Sequence, residues 1–209
     1  MKVVLCETYV RLSLEGQSTL MQRLHALWGG LVTMEELARK FHTVPGTGCV
    51  VITGAGISAI SALFAEPGAS RTILEVQVPY TQKALDEFVG TQADQHVSES
   101  EAILIAESAQ KRARYLAPDN LNQSLFGVGC TAAIATDRIR KGEDRAHIAW
   151  SDGRQTGGIS VWFDKEARTR ADEEKIVAAI VMNSIAAVLK IDDRLEISIL
   201  ETERIDEFG

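Results

Sequence analysis

The sequence from Cys49 to Ser58, CVVITGAGIS, decides the class of fold. Its first part, Cys49–Ile52, is apolar and rich in β-branched residues, which is typical of a buried strand. A Thr-Gly-Ala-Gly turn at Thr53–Gly56 follows directly, and the alanine-rich run Ser58–Ala65 has the apolar spacing of a helix. The segment therefore predicts a strand, a glycine turn and a helix in immediate succession.

The glycine turn is a candidate anion site. A turn from a strand into a helix exposes backbone N–H groups at the positive end of that helix, which suits a phosphate or a carboxylate. We expect Gly54, Ala55, Gly56 and Ser58 to contact such a ligand, while a tight connection that binds nothing is an equally supported interpretation. The P-loop motif is excluded because Ile57-Ser58 stands where it needs Lys-Ser/Thr. The dinucleotide fingerprint matches only in its looser form, with alanine for the third glycine.

Composition favours one globular domain in the cytoplasm. The chain has 209 residues and a formal net charge of −7, which argues against a nucleic-acid partner because such binding needs a basic surface. No apolar run reaches the roughly 18 residues of a membrane helix, and the N-terminus lacks a secretory signal pattern. Cys49 and Cys130 lie in apolar runs and are expected to be buried thiols, and the four histidines lack metal-ligand spacing. We therefore expect no membrane partner, no metal and no cofactor.

Periodicity along the chain predicts alternating strands and helices, and hence an α/β three-layer sandwich with a central mixed sheet. Residues 1–33 form an N-terminal appendage in this interpretation, with a short strand at Val3–Val10 and a short helix at Leu20–Leu27, and residues 34–209 form the main domain. The predicted helices are Met34–Phe41, Thr81–Val89, Ser98–Tyr115 (opened by a capping box of Ser98 and Glu101) and Ala171–Leu189. The later predicted strands are Thr72–Val78, Leu125–Ala135, a hairpin of His147–Trp150 and Gly158–Phe163, and Leu195–Leu200. We expect the stretch Asp137–Arg145 to be solvated and the acidic tail to be frayed.

In order and spacing, five short motifs resemble the CinA C-terminal domain family, which includes nicotinamide mononucleotide deamidases. The motifs are Thr53-Gly54-Ala55-Gly56, Pro67-Gly68-Ala69-Ser70, Tyr80-Thr81-Gln82, Val97-Ser98-Glu99 and Val128-Gly129-Cys130-Thr131-Ala132. The family carries at these places a Ser-Cys-Thr-Gly-Gly-type loop, a Pro-Gly-Ala-Ser turn, a Tyr-Ser-Asn-type sequence, a Val-Ser-Glu helix start and a Thr-Gly-Ile-Ala-Gly-Pro loop. The resemblance covers about residues 34–190 and is strongest to the divergent CinA-like domains that plants fuse to a nucleotidylyltransferase.

The resemblance implies a nucleotide-sized cleft at the carboxyl ends of the strands. Beside the glycine turn, the residues that it implies as ligand-binding are Gly68, Ala69, Ser70, Tyr80, Thr131 and Arg170. Four of these have a structural alternative: Ser70 as a cap of a turn, Tyr80 as a half-buried residue at a strand end, Thr131 as an ordinary strand residue and Arg170 as a solvated arginine.

The groups that the family uses for catalysis are altered in this chain. The loop serine implicated in deamidation corresponds to Thr53, its acidic neighbour to Ile52, and the lysine of the Tyr-Ser-Asn motif to Leu85. A hydroxyl without a paired base is a weak nucleophile. We therefore expect the domain to bind a pyridine mononucleotide or a related phosphate ligand with weak or no catalysis.

Two alternatives stay open. The first is a nicotinamide-nucleotide amidohydrolase, which deamidates nicotinamide mononucleotide to nicotinate mononucleotide with Thr53 as the catalytic residue. The second is a non-catalytic regulatory module that forms homo-oligomers. Small residues surround the helix Ala171–Leu189, and a helix that is apolar on most sides must be covered on most sides.

Overall fold

A mixed sheet of six strands forms the centre of the structure. The computed structural model describes residues 32–119, 124–138 and 140–209, in which the strand order is β2-β1-β3-β4-β5-β6. The strands are β1 (Thr47–Thr53), β2 (Ile73–Gln77), β3 (Leu125–Ala133), β4 (Asp144–Ser151), β5 (Thr156–Phe163) and β6 (Arg204–Phe208). β1 is parallel to β2 and β3, and the sheet continues from β3 to β6 in antiparallel pairing. The predicted α/β class with a mixed sheet and the predicted β4–β5 hairpin are confirmed.

Helices cover both faces of this sheet. They are α1 (Met34–Phe41), α2 (Ile57–Ala65), α3 (Gln82–Val89), α4 (Glu99–Leu116) and α5 (Arg170–Val188). α1, α2 and α5 pack against one another and against one face, while α3 and α4 pack against the other face. The sandwich therefore has the three layers that the sequence predicted.

β1 is buried along its whole length, as its apolar sequence predicted. Cys49 and Val51 pack with Leu85 of α3 and Ile105 of α4. The residues between and after them point to the opposite face and join the core beneath α5. Side chains alternate between the two faces of a strand, so a strand covered on both sides needs apolar residues throughout.

α4 lies directly on the backbone of β3 because this strand carries glycines on the face that the helix covers. A Cβ atom at Gly127 would stand 2.1 Å from the Ala106 oxygen, and one at Gly129 would stand 2.6 Å from the Ala106 nitrogen. The helix presents alanines to the strand, so both elements carry little side-chain volume at this contact. This close packing places the first turn of α4 against the carboxyl end of β3.

α5 is covered by other parts of the same chain. Its residues are buried from Ile176 to Ala186, between the sheet on one side and α1 and α2 on the other. Partly buried Leu195, Ile197 and Ile199 add to this cover. The expectation that a second copy is needed to cover this helix is therefore wrong, and homo-oligomer formation stays a prediction without that support.

The segment Leu195–Leu200 is not the strand that its apolar alternation predicted. The backbone of Leu195 bonds instead to the side chain of Asn183 on α5: its N–H donates to Oδ1 at 2.8 Å, and its oxygen accepts from Nδ2 at 3.0 Å. The apolar residues of this segment do face the core, as the alternation indicates. The side-chain amide of Asn183 makes the hydrogen bonds that a neighbouring strand would otherwise make.

The acidic tail is ordered, contrary to prediction, and forms the edge strand β6. It pairs with β5 in an antiparallel register from Gly158↔Phe208 to Trp162↔Arg204. The guanidinium group of Arg204 stacks on the Trp162 ring at 3.7 Å from its centroid. Charged residues are suited to an edge strand because they oppose further strand pairing.

The stretch Asp137–Arg145 is only partly solvated, because β4 begins at Asp144. The Asp144 side chain is buried, and its carboxylate accepts a hydrogen bond from the guanidinium of Arg140. A buried charge of this kind persists because it is paired. The prediction that the whole stretch is solvated is therefore wrong at its end.

The predicted elements Val3–Val10 and Leu20–Leu27 lie outside the described residues. Within the described ranges, no helix is long and apolar enough to cross a membrane.

Candidate functional site

A cleft of about 370 Å³ opens at the carboxyl ends of β1 and β3. This volume lies within the roughly 300–1,000 Å³ that small-molecule sites occupy. The cleft is bounded by the start of α3, the segment before α4 and the loop after β3. Five residues that the sequence predicted for the site line it: Thr53, Gly54, Tyr80, Thr131 and Arg170.

Two threonine hydroxyls lie side by side on the floor of the cleft. Thr53 ends β1 and is the register partner of Thr131 on β3, so both side chains point to the same face of the sheet. The Thr131 hydroxyl donates to the His96 backbone oxygen at 2.5 Å. The Thr53 hydroxyl makes no hydrogen bond to another described residue, which leaves it for a ligand or a water molecule.

Three arginines form a cationic wall on one side of the cleft. Arg170 donates from Nη1 to the Ala135 oxygen at 2.7 Å and from Nη2 to the Gly54 oxygen at 3.2 Å, and so joins the glycine turn to the loop after β3. Arg140 bonds to the Ile134 oxygen and the Asp144 carboxylate. Arg138 is exposed at the same cleft and has no ion pair with a described residue. The sequence prediction named only Arg170 of these three.

The N–H groups of the glycine turn already hold an internal carboxylate. Glu174 of α5 accepts from Gly56 N at 2.6 Å, from Ser58 N at 3.0 Å and from Ser58 Oγ at 3.2 Å. None of Ala55, Gly56 and Ser58 lines the cleft: Ala55 is buried, and the N–H groups of Gly56 and Ser58 are directed to Glu174. The turn has the anion-binding geometry that the sequence predicted, and within this chain its anion is Glu174.

Gly54 is the member of the turn that faces the cleft. Its φ is +92°, and a Cβ atom here would stand 2.0 Å from the Ala132 oxygen. Two features of this position therefore require glycine: the positive φ and the close approach to β3.

The turn that contains Gly68, Ala69 and Ser70 lies at the opposite end of the sheet. It precedes β2, and the β2 residue Ile73 is the register partner of Gly48 near the start of β1. The expectation that this turn lies in the same cleft is therefore wrong within one chain. The motif is at its predicted place in the sequence, but α2 carries the chain back from the carboxyl edge before the turn begins.

Tyr80 follows β2 at the entrance of the cleft and is 67% exposed. The strand end therefore presents a free aromatic face, and the half-buried alternative does not describe it. Thr81, next in the chain, accepts the Ala84 N–H and caps α3.

A row of polar residues crosses the sheet beside the cleft. Thr53, Thr131, His147 and Ser160 are successive register partners on β1, β3, β4 and β5, so they share the face covered by α4. Thr131 bonds to the His96 oxygen as described, and the Ser160 hydroxyl donates to Glu99 Oε1 at 2.8 Å. We call these four residues the polar row, and two of them, Thr131 and Ser160, connect the segment His96–Glu99 to the sheet.

His147 in the polar row is a structural residue. Because the Ser160 hydroxyl gives its proton to Glu99, His147 Nδ1 at 2.7 Å donates to the Ser160 oxygen. Burial, reinforced by the charge of Arg145, lowers the pKa of His147 to about 4. The imidazole is therefore neutral at physiological pH.

His96 and Asp86 form a hydrogen-bonded pair at the cleft that sequence reasoning missed. His96 Nε2 lies 2.8 Å from Asp86 Oδ1, and both side chains are about one-fifth exposed. His96 lines the cleft. No sequence signal joined the two residues, because they are ten positions apart and belong to a helix and to a loop.

Glu101 is buried behind this pair. Of the predicted capping box, only the backbone contact is present: the Glu101 N–H donates to Ser98 Oγ at 3.2 Å. The side-chain Oε1 of Glu101 has no partner among the described residues. The capping box is thus half formed. Burial raises the pKa of Glu101, with the charge of His96 acting against this shift and that of Asp86 acting with it.

These observations define a class: an α/β sandwich with a mixed sheet and a cationic, hydroxyl-lined cleft where parallel strands end. No protein-family model matches the sequence, and no curated protein sequence matches it either. Solved structures do match the fold, and they include competence- or damage-inducible proteins.

The crystal structure of the competence/damage inducible protein CihA from Agrobacterium tumefaciens matches with a TM-score of 0.56 and 20% identity, over 77% of this chain and 96% of that one. A competence or damage-inducible protein from Enterobacter asburiae matches with a TM-score of 0.58 and 16% identity, over 76% and 98%. A CinA superfamily protein from Enterobacter cloacae gives 0.58 and 17%, over 77% and 93%. The chain therefore has the fold of the CinA superfamily, as the motifs in the sequence predicted.

Proposed function

We propose that this CinA-like domain binds a pyridine mononucleotide, or a related ligand with a phosphate group, in the cleft at the ends of β1 and β3. The observation that carries the proposal is the cationic wall in a chain whose net charge is −7: Arg138 and Arg170 have no ion pair with a described residue, while Arg140 is paired with Asp144. Positive charge concentrated in a cleft of an acidic protein favours an anionic ligand.

The arginines have donors left for a phosphate. A guanidinium group carries five N–H donors, and Arg170 uses two of its nitrogens on backbone oxygens. Arg138 is free of ion pairs with the described residues and stands at the rim. Planar guanidinium groups match the geometry of phosphate oxygens, so these two residues are the proposed phosphate contacts.

The rest of the cleft suits a ribose and a flat base. Tyr80 offers an exposed ring for stacking at the entrance, and the Thr53 hydroxyl lies at the floor of the cleft. Catalysis in this proposal is weak, since the resemblance places Thr53 and Leu85 where the deamidases have a serine and a lysine.

A binding experiment tests the proposal with matched ligands. Nicotinamide mononucleotide at 100 times its Kd stabilises the fold by about 2.7 kcal/mol and raises Tm, whereas nicotinamide riboside, which lacks the phosphate, binds much more weakly. Arg138→Gln weakens the mononucleotide roughly tenfold, the size of one lost charge-assisted hydrogen bond. Arg154→Gln, an exposed arginine on a different groove, is the control and leaves affinity unchanged. Equal binding of riboside and mononucleotide contradicts the proposal.

Homo-oligomer formation is retained as a proposal on a different surface. Ile57 and Phe64 on the outer side of α2 are 43% and 55% exposed, and their spacing of seven residues places them on one face of the helix. Light scattering at micromolar concentration gives a mass above the 22.8 kDa of one chain if the proposal is correct. A monomer at that concentration contradicts it.

A further inference from the structure

We propose that His96, oriented by Asp86, is the general base of the cleft and takes a proton from the water that hydrolyses the carboxamide of the bound ligand. The inference rests on the proposed function, because it needs a ligand with an amide group in this cleft. It assigns the slow hydrolysis to residues outside the positions where the resemblance places catalytic groups.

The hydrogen bond between the two side chains fixes which nitrogen is basic. A carboxylate only accepts hydrogen bonds, so His96 Nε2, at 2.8 Å from Asp86 Oδ1, carries the proton. Nδ1 of the neutral ring then holds the free lone pair. An imidazole with one nitrogen held by a carboxylate is the arrangement that general bases use in hydrolases.

The backbone around His96 is held in place from two sides. Thr131 of the polar row donates to the His96 oxygen at 2.5 Å, and Arg145 donates through Nη2 to the Val97 oxygen at 3.0 Å. Asp86 lies on α3, which is anchored to β1 through buried Leu85. Both members of the pair are therefore preorganised by elements that form the cleft walls.

Glu101 is a buried acidic neighbour of the pair. The residue is 2% exposed, and its carboxyl lies in the electrostatic range of both His96 and Asp86. Burial raises its pKa, which favours the protonated carboxyl. The direction of this shift opposes a second negative charge beside Asp86.

Water rather than Thr53 is the nucleophile in this scheme. Thr53 is a β-branched residue at the end of a strand and is nearly buried, so its hydroxyl has little freedom to approach a carbonyl carbon. Fixed beside the cleft, the hydroxyl is suited to orient the water or to donate to the developing oxyanion.

The reaction balances with water as the second reactant. His96 Nδ1 takes a proton from water as the oxygen forms a bond to the carboxamide carbon. The protonated imidazole returns a proton to the amide nitrogen, the C–N bond breaks, and ammonia leaves. The products are a carboxylate and ammonium, and the imidazole ends neutral.

Ammonia release by the full-length protein, measured with nicotinamide mononucleotide, tests the inference. His96→Asn lowers kcat by roughly 10²–10⁴-fold, the usual contribution of a general base, while the mononucleotide still raises Tm. Asp86→Asn lowers kcat with little change in KM, because it disturbs the orientation of the base and not the phosphate contacts. In His96→Gly, added imidazole restores part of the rate, which a merely structural role of the histidine does not permit.

The outcomes separate this inference from the proposed function. A wild-type protein that binds the mononucleotide but releases no ammonia overturns the inference and leaves the binding proposal standing. Absence of binding overturns both. A His96→Asn protein that folds and keeps the wild-type rate overturns the inference alone. If that variant does not fold, an unchanged kcat in Asp86→Asn does the same.

Discussion

Glu174 occupies the place at the glycine turn where the sequence predicted an external anion. Its carboxylate accepts three hydrogen bonds from Gly56 and Ser58, and Gly56 itself offers α2 no side-chain cap. We expect Glu174→Gln to lower the free energy of unfolding by about 1–3 kcal/mol, because the amide removes the charge and leaves N–H donors poorly satisfied. Denaturant titration measures this, with Glu143→Gln on the exposed surface as a neutral control. Equal effects of the two substitutions contradict the role of Glu174.

His147 makes stability depend on pH in a defined window. Its folded pKa of about 4 lies below the ordinary value of about 6.5, so between these pH values the unfolded chain binds the proton and the folded chain does not. The stability present above about pH 6.5 therefore falls as pH decreases towards 4, by roughly 3 kcal/mol from this group. His147→Asn keeps an N–H for Ser160 but does not titrate, and we expect a flatter pH profile in that window. Parallel profiles of the wild type and the variant would show that His147 does not titrate this way.

The sequence located about half of the candidate site. Thr53, Gly54 and Arg170 could be predicted because a motif places them at strand or helix ends, and strand ends converge in an α/β sheet. Arg138 and His96 could not, because each lies in an irregular loop whose path depends on tertiary contacts such as the bond from Thr131 to the His96 backbone. The Gly68 turn was misplaced because motif spacing does not record which end of the sheet a segment reaches.

The contact of α4 with β3 depends on the absence of side chains. At Gly129 a Cβ atom would stand 2.6 Å from the Ala106 nitrogen and 2.7 Å from the Ile105 Cβ, so Gly129→Ala must push the helix away. We expect a loss of about 1–3 kcal/mol in the free energy of unfolding, as for other overpacked contacts. Gly142→Ala is the matched control, because an added Cβ meets nothing within 4 Å there. Denaturant titration measures both variants.

Gly129→Ala also tests whether ligand binding in the cleft depends on the position of α4. The segment His96–Glu99 leads into α4, so a displaced helix moves His96 relative to Thr131. We expect Gly129→Ala to weaken nucleotide binding as well as stability, while Gly142→Ala changes neither. A Gly129→Ala protein that is less stable but binds the nucleotide normally would show that the cleft does not depend on how closely α4 packs on β3.

Regular elements followed the sequence where local and tertiary preferences agreed. The helices and the β4–β5 hairpin lie within a few residues of their predicted bounds. The C-terminal end did not follow: Leu195–Leu200 has the polar-apolar alternation of a strand, whereas the strand Arg204–Phe208 has two adjacent acidic residues and lacks it. Tertiary contacts decide which segment joins the sheet. Leu195 bonds to the Asn183 side chain, whereas Arg204–Phe208 pairs with the edge of β5.

At the scale of the whole molecule, the sandwich is built from residues that follow Val32. All six strands and five helices of the described chain lie between Met34 and Phe208, and every residue of the cleft discussed above lies between Thr53 and Arg170. The main core cluster likewise extends from its first partly buried residues, Val32 and Met34, through α5. The proposed boundary near residue 33 agrees with this distribution of the described core, sheet and cleft.

We accordingly expect the fragment 32–209 to fold by itself. Because all the described residues of the core, the sheet and the cleft lie within this fragment, we expect it to unfold in one cooperative transition and to respond to nicotinamide mononucleotide as the full chain does. Thermal unfolding followed by circular dichroism measures the first property, and the ligand-induced rise in Tm measures the second. The full-length chain carried through the same purification is the control. A fragment that is insoluble or unfolds gradually contradicts the boundary, whereas a folded fragment that has lost binding assigns residues 1–31 a part in the site.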